Sequence, residues 1–168
     1  MTYDVSFIQC PLMALFDLKG QWQDIADWCG DALPACPSKP LTATRSDTAM
    51  LMWLAPKHWL LRAPLDFEQS LNARLRPAEC PGNISLARIS DSLTFFALTG
   101  PDLGEAMSII SPLDTHPGHF RTDSATFTES FGLKALVIRT AQGFEIGVDR
   151  SFGAMMATYL ANIGLSPA

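Results

Sequence analysis

Charge is scarce in this sequence. Asp, Glu, Lys and Arg make up 17% of it, against about 25% in typical soluble domains, so an under-charged surface is expected. The charge that exists is acidic in balance, 17 acidic against 12 basic residues for a net −5. That lacks the cationic footprint that phosphate backbones select, and nucleic acid is not an expected partner. Long apolar runs are missing too. The nearest, Ala49 to Pro56, is closed by Lys57 and falls short of the roughly 18 residues of a membrane span. The opening Met1-Thr2-Tyr3-Asp4 puts no cationic stretch ahead of an apolar one, so it does not read as a secretory signal, and a cytoplasmic location is expected. Cys10, Cys29, Cys36 and Cys80 show no Cys-x-x-Cys spacing. Neither a zinc ribbon nor a thioredoxin-type pair is suggested, and each thiol is expected to be reduced and to pack as a small hydrophobe.

Cofactor and nucleophile motifs are absent as well. There is no Gly-x-Gly-x-x-Gly for a dinucleotide pyrophosphate, no Gly-x-x-x-x-Gly-Lys-Ser/Thr and no Gly-x-Ser-x-Gly elbow. The segment Asp114-Thr115-His116-Pro117-Gly118-His119 gathers potential metal ligands. Pro117 and Gly118 break the helix that would align them, and no further ligand is flagged elsewhere, so a structural loop without metal is expected. Arg88 with Asp91 and Ser92 could supply an anchor, a base and a hydroxyl. The commoner arrangement is a hairpin turn at Asp91-Ser92 with Arg88 solvated. Ser151, beside Arg150, is expected to cap the last helix, although a helix N-terminus there could also receive an anion. No catalytic, cofactor-binding or metal site is assigned to the chain.

What the sequence does contain is a repeat. Phe16-Asp17-Leu18-Lys19-Gly20 and Phe96-Ala97-Leu98-Thr99-Gly100 each close an apolar strand and open an amphipathic helix, about 80 residues apart. His58-Trp59-Leu60-Leu61 leading into Asp66-Phe67 likewise lines up with Gly143-Phe144-Glu145-Ile146 leading into Ser151-Phe152, at an offset of about 85. Two matches in the same order indicate a duplicated supersecondary unit. At 168 residues the chain is expected to be a single domain over 1–168, with pseudo-repeats at 10–80 and 84–165.

Patterning fills in the elements. Strands are expected at Pro11 to Leu18, Leu41 to Arg45, Ala49 to Leu54 and Trp59 to Arg62, the last two being either separate or one strand interrupted at Pro56. Others are expected at Ile84 to Ile89, Leu93 to Leu98, Ala125 to Phe131, Ala135 to Arg139 and Phe144 to Val148. Helical stripes run through Trp22, Ile25, Cys29 and Leu33, through Phe67, Leu71 and Leu75 behind an Asp66 cap, and through Leu103, Ala106, Met107 and Ile110 behind Pro101. A last stripe uses Phe152, Met155, Met156, Tyr159, Leu160 and Ile163. Strands interleaved with helices, but not strictly alternating, give an α+β fold of pseudo-symmetric duplicated β/α units with largely antiparallel sheets. Four tryptophans with so little charge leave open a permanent subunit or a well-packed monomer.

The second half also carries a resemblance. Arg88-Ile89-Ser90-Asp91, Phe96 to Pro101, Ser111-Pro112-Leu113-Asp114 with His116-Pro117 and Phe120, Phe144 to Val148 and Arg150-Ser151-Phe152 occur in an order and spacing similar to the gamma subunit of heterotetrameric sarcosine oxidases and related N-methyl amino acid oxidases. The resemblance covers residues 50 to 163. It implies a fold related to the folate-binding domains of aminomethyltransferases, in which an internal repeat is expected. It also implies partners: an alpha subunit with NAD and tetrahydrofolate sites, a beta subunit bearing flavin (FAD, FMN) and a delta subunit holding zinc. Such complexes demethylate an N-methyl amine oxidatively and pass the one-carbon unit to tetrahydrofolate. On this resemblance the chain itself is non-catalytic and holds no cofactor. The Lys-Gly-Cys-Tyr-x-Gly-Gln-Glu segment of the related folate-dependent iron-sulfur maintenance proteins is absent. The alternative is a stand-alone folate-binding or one-carbon-transfer protein, for which Asp91 would be the candidate to hold a pterin.

Overall fold

The computed structural model describes residues 3–168. In chain order a first pass runs through β1 (Ser6–Gln9), β2 (Met13–Lys19), α1 (Trp22–Cys29), β3 (Ala43–Arg45), β4 (Met50–Ala55), β5 (His58–Pro64) and α2 (Glu68–Leu75). A second pass runs through β6 (Ser85–Arg88), β7 (Leu93–Thr99), α3 (Leu103–Ile110), β8 (Ala125–Ser130), β9 (Leu133–Arg139), β10 (Phe144–Asp149) and α4 (Gly153–Asn162). The short β11 (Ser166–Pro167) follows.

The passes repeat one topology. One sheet has the order β3-β4-β5-β2-β6 and the other β8-β9-β10-β7-β1-β11, every pairing being antiparallel except β1 with β11. Registers coincide as well. Leu18 lies opposite Trp59 on one side and Leu86 on the other; Leu98 lies opposite Phe144 and Phe7 in the same way. Each pass lends its leading strand to the other's sheet, since β1 pairs with β7 and β6 with β2. The compact units therefore divide as Leu12–Asp91 and as Ser92–Ala168 together with the segment through Pro11.

Each unit has its own core. In the Leu12–Asp91 unit, alternate β2 residues Ala14, Phe16 and Leu18 meet Ile25 and Cys29 of α1 and Leu71 and Leu75 of α2, as the two-residue strand period and the helical stripe require. In the other unit Phe96 and Leu98 of β7 meet Ala106, Met107 and Ile110 of α3 and Met156 and Leu160 of α4. Fully burying one such Leu or Phe contributes about 1.5–3 kcal/mol.

The repeated glycines sit where this exchange is tightest. Gly20 and Gly100 have φ of 140° and 148°. A Cβ on Gly20 would meet Ile84 and Asn83, and one on Gly100 would meet Asp4 and Val5. In both units the neighbour is the residue pair leading into the borrowed strand, so the Phe-x-Leu-x-Gly phrase recurs because the same close approach recurs.

Several local expectations change. No strand was expected ahead of Pro11, yet β1 forms there, because pairing along β7 orders a segment too short to show a pattern. β4 and β5 are separate strands of one hairpin, turned at Pro56-Lys57 with Lys57 at φ 58°. α1 ends at Gly30 before Leu33, although Leu33 still packs on the core. Asp66 does not cap α2: it lies inside a 3-10 turn, Leu65–Phe67, and Phe67 precedes the helix without a side-chain cap. Phe152 is 42% exposed, since the analogous 3-10 turn Arg150–Phe152 turns it off the inward stripe of α4. Asp91-Ser92 is not a hairpin turn, because β6 and β7 belong to different sheets.

Candidate functional site

A cleft of about 530 Å³ opens in the Ser92–Ala168 unit. Its walls are the entry to α3 (Gly100, Pro101, Leu103, Gly104), the loop Thr115-His116-Pro117 with Thr122, and the β9–β10 connection from Arg139 to Phe144. The connection is held by its own first residue. Thr140 Oγ1 accepts from the amides of Gln142 (3.3 Å) and Gly143 (3.1 Å), while the Thr140 amide donates to the Gly143 carbonyl at 2.9 Å. Such a hydroxyl-closed turn lets a four-residue loop hold one shape.

Arg139 ends β9 and is fixed three ways. Its amide donates to the Ser124 carbonyl at 2.9 Å, its Nη1 donates to the Thr115 carbonyl at 2.8 Å, and its guanidinium lies 4.9 Å from the centroid of Phe144. Phe144 in turn stacks on Phe120, with centroids 6.3 Å apart and planes at 13°. An arginine over an aromatic face is attracted by the ring quadrupole and keeps its remaining N–H groups available.

His116 is placed by its loop. Its amide donates to Asp114 Oδ1 at 2.9 Å, and its Nδ1 accepts from the Gly118 amide at 3.1 Å. Because Nδ1 uses its lone pair there, the neutral ring carries its proton on Nε2. The ring centroids of His116 and His119 are 6.0 Å apart, and among the described residues no three His, Cys, Asp or Glu side chains converge as a metal set. The loop thus brings His116, but not His119, to the cleft.

The other sequence candidates do not assemble. Arg88 Nη1 donates to Glu68 Oε1 at 3.0 Å instead of remaining solvated alone, and Asp91 lies in the exposed turn that follows β6. Ser151 is not the cap. Asp149 Oδ1 accepts from both the amide (2.9 Å) and the hydroxyl (2.5 Å) of Ser151, and these bonds hold the Asp149 carboxyl below its usual pKa. No disulfide joins the described cysteines. Burial pushes the Cys29 thiol up to about 11, far from the thiolate form a nucleophile or metal ligand needs.

Two clusters escaped the sequence reading. One is ionic: Asp17 meets His58 Nε2 at 2.5 Å and Lys19 Nζ at 2.8 Å. Burial acts to raise the Asp17 pKa, but hydrogen bonds and charge from His58 and Lys19 outweigh it and leave the group below its usual value. The other is the cleft arginine. Phe144 lies opposite Arg139 in β9–β10 where Trp59 lies opposite Trp53 in β4–β5, so Arg139 stands in register with a tryptophan. In the Leu12–Asp91 unit Trp53 stacks on Trp59 at 6.0 Å and Trp22 closes on Trp59 at 5.4 Å. The pairing of Trp59 with Phe144 across the repeat was the signal that could have located the cleft.

Comparison with known proteins places this architecture. No curated protein sequence matches the chain. Among solved structures it is similar to a chain of the heterotetrameric sarcosine oxidase from Corynebacterium sp. U-96 in complex with pyrrole 2-carboxylate, with TM-score 0.80 and 18% identity over 98% of this chain and 87% of that one. It is also similar to the glycine cleavage system aminomethyltransferase T from Bartonella henselae, with TM-score 0.72 and 14% identity over 99% of this chain; it spans 48% of that protein's length. At such identities these likenesses show the fold alone, a mixed α+β fold with two largely antiparallel sheets that those chains share. A family model for the sarcosine oxidase gamma subunit matches residues 27–164, and the chain therefore belongs to the sarcosine oxidase, gamma subunit family.

Proposed function

We propose that this chain is the gamma subunit of a hetero-oligomeric flavin-dependent oxidase acting on sarcosine or a related N-methylated amino acid. The observation that carries the reading is the family match over residues 27–164, joined to the fold shared with a chain of a heterotetrameric sarcosine oxidase. In this reading alpha, beta and delta subunits hold NAD, FAD, FMN, tetrahydrofolate and zinc. They oxidise the amine and pass its one-carbon unit to tetrahydrofolate, and the gamma chain serves assembly without catalysing a step.

The surface supports an assembly role. Charge is scarce, and large apolar side chains stand exposed at Ile8, Leu12, Phe67, Ile109 and Phe152. Obligate interfaces commonly bury over about 2,000 Å² and are more apolar than transient ones. The test is affinity purification of the chain from its own cell with mass spectrometry of what accompanies it. A flavin-bearing oxidase subunit recovered in fixed ratio is the expected result. A lone chain that binds folate and brings no flavoprotein would favour the stand-alone folate protein instead.

A further inference from the structure

We propose that the cleft of the Ser92–Ala168 unit binds a small organic carboxylate, one whose anionic group sits on a compact apolar or planar body. The inference is independent of the assembly reading and rests on the lining of the cleft. Its polar side chains supply donors. Arg139 offers the N–H groups that do not reach Thr115, His116 offers Nε2–H because Nδ1 is engaged by Gly118, and the Thr140 hydroxyl keeps its proton to give, since its oxygen accepts two amides. Among the described residues no Asp or Glu lines the cleft. In a chain whose overall charge is −5, a concavity with a guanidinium and no acid is a local reversal of sign, and it selects for an anion.

Shape narrows the class. A volume of about 530 Å³ lies within the roughly 300–1,000 Å³ typical of small-molecule sites. Leu103 and Phe144 line it beside Arg139, so a ligand that pairs with the guanidinium also lays carbon against apolar surface, which a bare inorganic anion cannot do. The repeat supplies an internal comparison. At the same register positions in the other unit, indoles of Trp53 and Trp59 stack. There the position opposite the aromatic residue carries packing bulk; here it carries a fixed cation beside an open space.

Phenylglyoxal modification of the full-length chain, mapped peptide by peptide with mass spectrometry, tests this directly with benzoate as the probe. Benzoate is expected to protect Arg139 with a midpoint of about 1 mM, a reasonable affinity for so small a ligand, while leaving the exposed Arg88 in the other unit as reactive as before. Benzylamine, with the same ring and the opposite charge, should give no protection. Inorganic phosphate should require a concentration at least about tenfold higher, because it forgoes the apolar contact. His116→Ala, at an exposed loop position, should raise the benzoate midpoint by about fivefold through loss of one charge-assisted hydrogen bond. The proposal is overturned if Arg88 and Arg139 are protected alike, if benzylamine or phosphate matches benzoate, or if His116→Ala leaves the midpoint unchanged. An Arg139 that phenylglyoxal fails to reach in the free chain would overturn it equally, since the cleft would then not be open.

Discussion

Replacing Gly100 with alanine is expected to damage the fold far more than the same change at Gly20, and the reason lies in what each glycine faces. A Cβ at Gly100 would fall 2.1 Å from the Asp4 carbonyl oxygen and 2.7 Å from Val5 Cα. Both are backbone atoms of the segment that leads into β1, so relief requires moving that segment. At Gly20 the nearest atom is Ile84 Cγ2 at 2.8 Å, the end of a side chain, with the Asn83 carbonyl at 3.1 Å. The positive φ of 140° or 148° adds about 1–3 kcal/mol of strain to an alanine at either site. Moving the β1 lead-in also loosens Val5 and Phe7, which are 3% and 7% exposed in the core, and losing half the burial of each costs roughly 2 kcal/mol more. Gly100→Ala should therefore cost about 3–5 kcal/mol and Gly20→Ala about 1–3 kcal/mol. For a chain of this size 3 kcal/mol lowers the melting midpoint by roughly 6–12 °C. All four tryptophans lie in the Leu12–Asp91 unit, so their fluorescence reports that unit, while amide hydrogen exchange along β7 reports the other. Gly100→Ala should strip protection from β7 first. A Gly100→Ala protein that melts within a degree or two of the parent, or that loses β4–β5 protection before β7, would refute the claim that the glycine exists to admit the borrowed strand.

Asp17→Asn should destabilise by about 1 kcal/mol at neutral pH, as a partly buried ion pair with an exposed Lys19 allows. Because the folded pKa of Asp17 lies below its unfolded value, its stabilisation is complete above the unfolded pKa and is lost as pH falls through the folded one. The gap between parent and variant in denaturant titrations should accordingly begin to close as pH falls below about 3.8 and vanish only below the lowered folded pKa of Asp17; a gap that stays constant through the acid range would show that the loss is not electrostatic. Phe7→Ala removes a ring that packs 6.4 Å from Phe96 and should cost about 3–5 kcal/mol, with hydrogen exchange showing the loss on β7 and β10. Asp149→Ala should lower the thermal midpoint and Asp149→Asn should restore most of it, since an amide oxygen can still accept from the Ser151 amide. Deleting the gene should reduce the amount of intact oxidase while turnover per flavin in the complex that survives stays nearly unchanged, measured by flavin content and amine oxidation side by side.

What could be read from the sequence was whatever repeats or alternates over enough residues. The Phe-x-Leu-x-Gly phrases mark equivalent strands because each glycine answers the same backbone approach, and the Trp59–Phe144 correspondence holds to the residue in the sheet registers. Apolar runs placed β2, β7, β9 and β10, whose alternate residues face cores. β1 escaped because Ser6-Phe7-Ile8-Gln9 carries a pair of apolar residues and no period; its order comes from pairing with β7 some 90 residues away. Both cap assignments failed for one physical reason. A 3-10 turn precedes α2 and α4, which moves the helix start by about one turn, so the residue that looks like a cap lies inside the turn and the work falls to Asp149 or to none.

The cleft was illegible for a different reason, and the repeat shows why. Its cation is one residue, Arg139, that sits where the duplicate has Trp53, and nothing in composition or spacing separates an arginine ending a strand at a surface from one ending it beside a cavity. The distinction lies in the chemistry at paired positions: Trp59 is the centre of an indole stack, while Phe144 is a platform for a guanidinium. A duplicated fold needs its glycines and its strand registers in both copies, because each sheet depends on a strand from the other pass. It needs the surface between β-hairpin and helix entry in neither. That surface is free to be packed in one unit and left open in the other, so the positions at which the copies differ in chemistry while agreeing in register are where binding by this chain is to be sought.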